Sequence, residues 1–131
     1  MQKFLLDRWT SQLLSLLRFV AGFCFLWHGS MKLLHYPPGM EGVQLVSLMG
    51  LAGVLELVGG ILVCVGLFTK PAAFVLSGEM AFAYFMAHAP HGPLPAMNGG
   101  DAAVLYCFVF LYLSAAGPGP ISLDAMMRKK G

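Results

Sequence analysis

Four apolar segments, each close to the length of a membrane-spanning helix, dominate this sequence of 131 residues. They predict helices at about 12–35, 43–68, 71–88 and 99–116. A helix needs about 20 predominantly apolar residues to cross the hydrocarbon core of a bilayer. We therefore expect a single domain over residues 1–131, all-α in class, which forms an integral membrane four-helix bundle surrounded by the lipid bilayer.

The proportions of apolar and charged residues point the same way. Hydrophobic residues make up 58% of the chain and charged residues 11%, whereas roughly 25% of residues are charged in an average soluble protein. The alternative is an unusually apolar soluble bundle, but the helices of such a bundle carry a polar stripe that faces water. The four segments lack such stripes, which favours lipid as the solvent.

The distribution of lysine and arginine predicts the orientation of the chain. Basic residues lie before the first helix, in the second connection and in the tail: Lys3, Arg8, Lys70, Arg128, Lys129 and Lys130. Because loops rich in Lys and Arg remain cytoplasmic, we expect both termini in the cytoplasm and the protein in a cell membrane of the bacterial inner-membrane type. The first apolar run is long and contains charges, so no cleavable signal peptide is expected. The net charge of +2 is then a topology signal, and no nucleic-acid partner is expected.

Small and charged residues share a face on each of the first two helices. On helix 1, spacings of three and four align Arg18, Gly22, Phe25, Gly29 and Lys32. On helix 2, the same spacing aligns Gly53, Glu56 and Gly60. Glycine allows two membrane helices to approach closely, so we expect helices 1 and 2 to pack through these faces. The third connection is rich in Pro and Gly and is expected to be irregular, and the chain is expected to end in a short basic tail.

Ionisable residues inside the apolar segments need partners, because each costs roughly 2.5 to 3.5 kcal/mol at the centre of a membrane helix. Counting along the helices predicts an inner charged layer of Arg18, Glu56 and Glu79, with Arg18 and Glu79 as the main pair. It predicts an outer layer of His28, Lys32, Asp101 and His88. One interpretation is that these groups are structural ion pairs that fix the helix register. The other interpretation is a polar cleft that binds a head group or relays protons. The large number of ionisable groups favours this second interpretation.

Four ordered motifs resemble those of the DoxX family of small four-helix membrane proteins. They are the helix 1 segment 18–32, LELVGGILVCVGLFTKPAA at 55–73, NGGDAAVLY at 98–106 and GPGPISLD at 117–124. The resemblance extends over nearly the whole chain. It implies a membrane subunit of quinone-linked redox systems, since members are associated with thiosulfate:quinone oxidoreductase, with oxidative-stress complexes and with resistance to quinones or catechols.

The first functional hypothesis is therefore a quinone-binding or anchoring subunit of a membrane redox system. A histidine beside a lysine and a carboxylate at the membrane surface can donate a proton to a bound carbonyl. The candidate catalytic residues are His28, Lys32 and Asp101, and the candidate quinone-binding residues are Arg18, Glu56, Glu79, Trp27 and Asn98. An apolar box around the ring would come from Phe25, Trp27, Phe82, Phe85, Tyr106 and Tyr112.

Other classes of function remain open. A pair of histidines from helices 1 and 3, His28 and His88, is the arrangement that a bis-histidine haem requires. His88 and His91 with two methionines, Met86 and Met97, have donor atoms suited to copper. The third hypothesis is a non-catalytic scaffold for a soluble oxidoreductase subunit. A transporter for a small molecule is the fourth, and four helices would then have to form a homo-oligomer to enclose a path.

Overall fold

A computed structural model describes residues 3–130, and its regular elements in that range are all helical. The α-helices are α1 (Thr10–Leu33), α2 (Leu48–Val65), α3 (Thr69–Ala83), α4 (Pro95–Asn98), α5 (Asp101–Ala116) and α6 (Leu123–Lys130). A 3-10 turn, Asp7–Trp9, precedes α1, and α3 continues into a π-helix, Tyr84–His88, and a 3-10 turn, Ala89–His91. The predicted all-α class is confirmed.

Among residues 3–130, three helical stretches are long and apolar enough to cross a membrane. They are Asp7–Leu33, Leu48–Val65 and Thr69–His91. The fourth predicted span, Asp101–Ala116, is a shorter apolar helix. The crossing of the bilayer by all four helices and the cytoplasmic location of the termini therefore stay predictions.

The second helix is shorter than predicted at both ends. The hydroxyl of Ser47 accepts a hydrogen bond from the backbone N–H of Gly50, and this cap starts the helix five residues later than expected. At the other end Gly66 adopts a left-handed conformation with φ of 73°, which ends the helix. Glu56 consequently lies fewer residues from the start of α2 than predicted, and the start of α2 is the end that meets the end of α1.

Helices α1 and α2 pack backbone to backbone through glycines, as predicted. A Cβ atom on Gly22 would lie 2.7 Å from Cα of Cys64, and one on Gly29 would lie 2.8 Å from Cα of Leu57. On α2, a Cβ atom on Gly60 would lie 2.8 Å from the α1 backbone. Real Cβ atoms do not approach backbone this closely, so only glycine fits these positions. The close approach fixes α1 and α2 as one unit.

The remaining apolar core joins α1 and α2 to α3 and α5. Its largest fully buried side chains are Phe25, Phe110, Leu76, Leu113 and Val63. Helix α3 packs mainly on α5, just as α1 packs mainly on α2, and the contact between α2 and α3 is smaller. The fold is thus two tightly packed helix pairs with a less closed seam between α2 and α3.

The segment after α5 folds back against the beginning of α1. The backbone N–H of Ile121 donates to the hydroxyl of Ser15 at 3.1 Å. The chain then forms α6, where the prediction had only a basic tail, and Asp124 accepts hydrogen bonds from the backbone N–H groups of Phe68 and Thr69 at the start of α3.

The third connection also departs from the irregular structure expected, because Pro95 occupies the first position of the one-turn helix α4. A missing backbone N–H costs nothing at that position.

Candidate functional site

A cavity of about 570 Å³ lies between α1, α2, α3 and α5. The ionisable side chains that line it include His28, Lys32, Glu56 and Glu79. Most of the remaining wall is apolar, with Leu, Val, Ala, Met and Phe side chains from α2 and α3 among its members. A pocket with an extensive apolar wall and a few convergent polar groups is typical of a small-molecule site.

Lys32 and Glu56 form the ion pair of this cavity. The ammonium of Lys32 donates to Oε2 of Glu56 at 2.5 Å, and the two side chains are 12% and 4% exposed. The expected placement of Glu56 beside Arg18 is therefore wrong. Arg18 lies 14 residues before Lys32, or about 21 Å along the helix, and the later start of α2 brings Glu56 to the level of Lys32 instead.

Glu79 of α3 lies beside the same ion pair in the cavity wall. Its carboxyl group lies next to the carboxyl of Glu56 and is close enough to Lys32 to interact with its charge. Both carboxyl oxygens of Glu79 are buried, and neither has a hydrogen-bond partner among the residues that the structure describes. The cluster formed by Lys32, Glu56 and Glu79, which we call the carboxyl cluster, thus has unused hydrogen-bond acceptors that face the cavity.

Aromatic rings form part of the wall beside His28. The rings of Phe25 and Tyr106 lie 4.9 Å apart, and the imidazole of His28 meets Tyr106 edge to face at 5.9 Å. Of the predicted apolar box, Phe25, Phe82 and Tyr106 line the cavity. The other three do not line it: Trp27, Phe85 and Tyr112. Trp27 instead packs edge to face on Phe23 at 5.9 Å and on Tyr36 at 6.4 Å.

Arg18 is buried at the other end of the molecule and lies apart from the cavity. Its guanidinium donates to three backbone carbonyls, those of Pro118 at 2.5 Å, Ile121 at 3.0 Å and Cys64 at 3.5 Å. The expected Arg18–Glu79 pair is wrong, because the segment after α5 occupies the space beside the guanidinium. Arg18 therefore joins α1, α2 and this segment and has a structural role. Its partners are backbone carbonyls and not the predicted carboxylates of Glu79 and Glu56.

Two predicted site residues, Asn98 and Asp101, do not line the cavity. Because Asp101 belongs to the predicted outer layer, that layer does not form one cluster. Asn98 is buried, donates to the hydroxyl of Tyr84 at 3.1 Å and to the carbonyl of Gly92 at 3.0 Å, and accepts from Gly100 at 2.9 Å. These bonds organise the third connection and occupy the amide. Asp101 is exposed at the start of α5 and does not line the cavity.

His88 and the π-helix were only partly foreseen. His88 lines the cavity, and its Nδ1 lies 3.2 Å from the carbonyl oxygen of Asn98. The π-helix Tyr84–His88 also contributes Met86 to the wall. Single π-helical turns occur frequently at functional sites, but no residue pattern in YFMAH distinguishes it from α-helix, so the sequence carries no signal for it. Among residues 3–130, no group of three or more His, Cys, Asp or Glu side chains is arranged to hold a metal ion.

Comparison with known proteins decides the family. The DoxX family model matches residues 13–89, more than half of the chain. The chain belongs to the DoxX family. The matched range contains His28, Lys32, Glu56 and Glu79 of the cavity of this DoxX protein, whereas Asn98 and Asp101 lie beyond it.

One relative extends the similarity to nearly the whole DoxX chain. An uncharacterised protein of Haemophilus influenzae is 43% identical over 95% of this chain and 98% of its own length. No solved structure matches the chain. Family and apolar helices together identify a DoxX membrane protein, and its chemistry must be inferred from the cavity.

Proposed function

We propose that this DoxX protein binds a lipid-soluble quinone in the cavity between α1, α2, α3 and α5, as a membrane subunit of a redox system. The observation that carries the proposal is the combination of a largely apolar cavity of about 570 Å³ with a charged cluster in its wall. That volume falls within the roughly 300 to 1,000 Å³ typical of small-molecule sites. A quinone matches both parts, since its ring and tail are apolar and its two oxygens are polar.

The cavity is accessible from the side that would face lipid. Its wall includes side chains at the seam between α2 and α3 that also lie on the surface of the bundle, such as Leu51, Phe82 and Met86, which are 55%, 54% and 58% exposed. These surface positions are apolar and therefore suited to hydrocarbon. A quinone dissolved in the bilayer can enter between α2 and α3 and leave its tail in the lipid.

The ionisable residues would hold the ring by its oxygens. Lys32 donates one N–H to Glu56, and an ammonium has two more to offer. His28 is exposed at the cavity wall, where its imidazole can donate a hydrogen bond to the second ring oxygen or exchange a proton with it. Asp101, Trp27, Asn98 and Arg18 have no part in this arrangement, because they do not line the cavity.

The quinone chemistry requires an electron donor. Quinone supplies two-electron acceptor chemistry at the site, and the chain would supply binding, orientation and protons. We therefore propose that the protein anchors a soluble oxidoreductase subunit at a bacterial-type cell membrane. A scaffold that holds such a subunit without binding quinone is the second candidate, and the exposed one-turn helix α4 and its connections offer the surface for it.

The test is quinone retention by the protein purified gently from membranes. Ala83 is half-buried in the cavity wall, so Ala83→Phe should fill the cavity and reduce the retained quinone several-fold. Ala115→Phe is the matched control, since Ala115 is exposed on α5 away from the cavity. Quinone would be extracted and quantified by mass spectrometry against protein. Equal retention by the two variants, or none by the native protein, contradicts the proposal and favours the scaffold.

A further inference from the structure

The carboxyl cluster contains acceptors without donors, and these determine whether a ligand with hydroxyl groups or one with carbonyl groups fits the cavity better. Both oxygens of the Glu79 carboxyl are buried without a donor among the described residues. A buried acceptor without a donor is costly. A ligand that brings a donor to Glu79 therefore gains more than one that brings only an acceptor.

No described neighbour of Glu79 donates a hydrogen bond to it in the arrangement seen. Lys32 is engaged with Glu56 at 2.5 Å, and Glu56 is itself a carboxyl that lies next to Glu79. The cluster holds two carboxyl groups and one ammonium, so its acceptors outnumber its donors. A single proton shared by the two carboxyls would satisfy one oxygen, and the other oxygen of Glu79 would still lack a donor.

We infer that the cavity selects the hydroxyl-bearing, reduced form of its ligand, a quinol, over the carbonyl-bearing quinone. This inference rests on the proposed quinone site. A quinol hydroxyl donates to Glu79 and accepts from Lys32 through the same oxygen. A quinone carbonyl only accepts, so it can use Lys32 but leaves the Glu79 oxygens without a donor and places its own lone pairs against them.

The test is the affinity of the full chain in lipid nanodiscs for a decyl-substituted benzoquinone and for its quinol, measured by equilibrium dialysis without oxygen at one pH. The native protein should bind the quinol about tenfold more tightly or better, which is the size expected when one buried acceptor gains a donor. Glu79→Gln keeps the size of the side chain but replaces an acceptor oxygen with a donor amide. It should bring the ratio of the two affinities close to one while quinone binding persists, which also shows that the variant is folded.

Glu41→Gln is the matched control, because Glu41 is an exposed carboxylate in the first connection that does not line the cavity. It should keep the native ratio. Equal affinities in the native protein, tighter binding of the quinone, or a ratio unchanged by Glu79→Gln would overturn the inference and leave the quinone site standing. Failure of both forms to bind overturns the quinone site as well.

Discussion

At the scale of single residues, Lys32 determines whether the carboxyl cluster is tolerated inside the protein. It is the partner of Glu56 and the nearest cation to Glu79. Lys32→Met should lower the free energy of unfolding by about 3 to 5 kcal/mol, because it leaves a buried carboxylate without its counter-charge. Unfolding in mixed micelles, followed by circular dichroism, measures the loss, and Lys129→Met on the exposed end of α6 is the control.

A second variant separates the charge effect from lost packing. Lys32→Met combined with Glu56→Met removes both charges and should be more stable than Lys32→Met alone, since replacing a whole buried pair by apolar residues is often neutral or favourable. A double variant as unstable as the single one would mean that the ion pair matters little.

The residues of the carboxyl cluster were all identified from the sequence as ionisable groups in apolar helices, but their partners were not. A helix that starts at residue 43 places Glu56 within reach of Arg18, and a shift of five residues moves a side chain by about 7.5 Å along the axis. The partner of Arg18 was also out of reach of the sequence. The partners are backbone carbonyls such as those of Pro118 and Ile121. Because every residue has a backbone carbonyl, the residue types do not show which ones Arg18 contacts.

At the scale of helices, the glycines of α1 set how closely it approaches α2. Gly29→Val should destabilise the protein by about 3 kcal/mol or more, because the added carbons meet α2 backbone atoms that cannot yield. Among these atoms is the carbonyl oxygen of Gly53, which would lie 2.6 Å from a Cβ atom at position 29. Gly78→Ala on α3 is the matched control, since nothing lies within 4 Å of its added Cβ. Its effect should stay within about 1 kcal/mol, and comparable losses in both variants would contradict the packing described.

Helix α3 is capped by a residue from the other end of the chain. Burial by itself would raise the pKa of Asp124, but the backbone N–H groups of Thr69 and Phe68 and the charge of Arg128 outweigh it, and the pKa of Asp124 is lowered. Asp124→Ala should cost about 0.5 to 2 kcal/mol, the usual loss for a helix cap. Thermal unfolding at pH 7 measures it.

The lowered pKa also predicts the pH dependence of this cap. The unfolded chain binds the Asp124 proton more readily than the folded chain, so the stabilisation is present above an ordinary aspartate pKa of about 3.9 and is lost as the pH falls through the lower folded value. The stability difference between the native protein and Asp124→Asn should therefore shrink between pH 6 and pH 3. A difference that grows on acidification would show that the carboxylate is not stabilised by these bonds.

Helix faces were more predictable than helix ends. The glycine face of α1 follows directly from residue spacing, and the structure confirms it. The formation of α6 did not follow, since its eight residues include three basic ones that suggested only a tail. Two hydrogen bonds order this segment: Asp124 of α6 accepts from the backbone N–H of Phe68 before α3, and the backbone N–H of Ile121 donates to Ser15 of α1. Each bond joins positions more than 50 residues apart.

At the scale of the whole molecule, the beginning of α1 and the segment after α5 lie at the same end of the bundle. The contact between Ile121 and Ser15 places the segment after α5 beside the beginning of α1, which is the arrangement that an even number of crossings requires. A membrane-impermeant maleimide applied to intact cells should label Leu94→Cys in the third connection but not Ile121→Cys. Both side chains are exposed, at 56% and 67%, so the difference would report the side of the membrane. The reverse labelling would contradict the predicted orientation.

Photo-crosslinking can show whether quinone occupies the cavity. A quinone carrying an azido group would be added to the protein in nanodiscs, activated by light and located by mass spectrometry of the digested chain. We expect labelling of α2 and of α3 with its π-helix at cavity residues such as Met49 and Met86, with competition by unlabelled quinone. Labelling spread over lipid-facing side chains outside the cavity, such as Phe19 and Phe108, and insensitive to competitor would contradict quinone binding in the cavity.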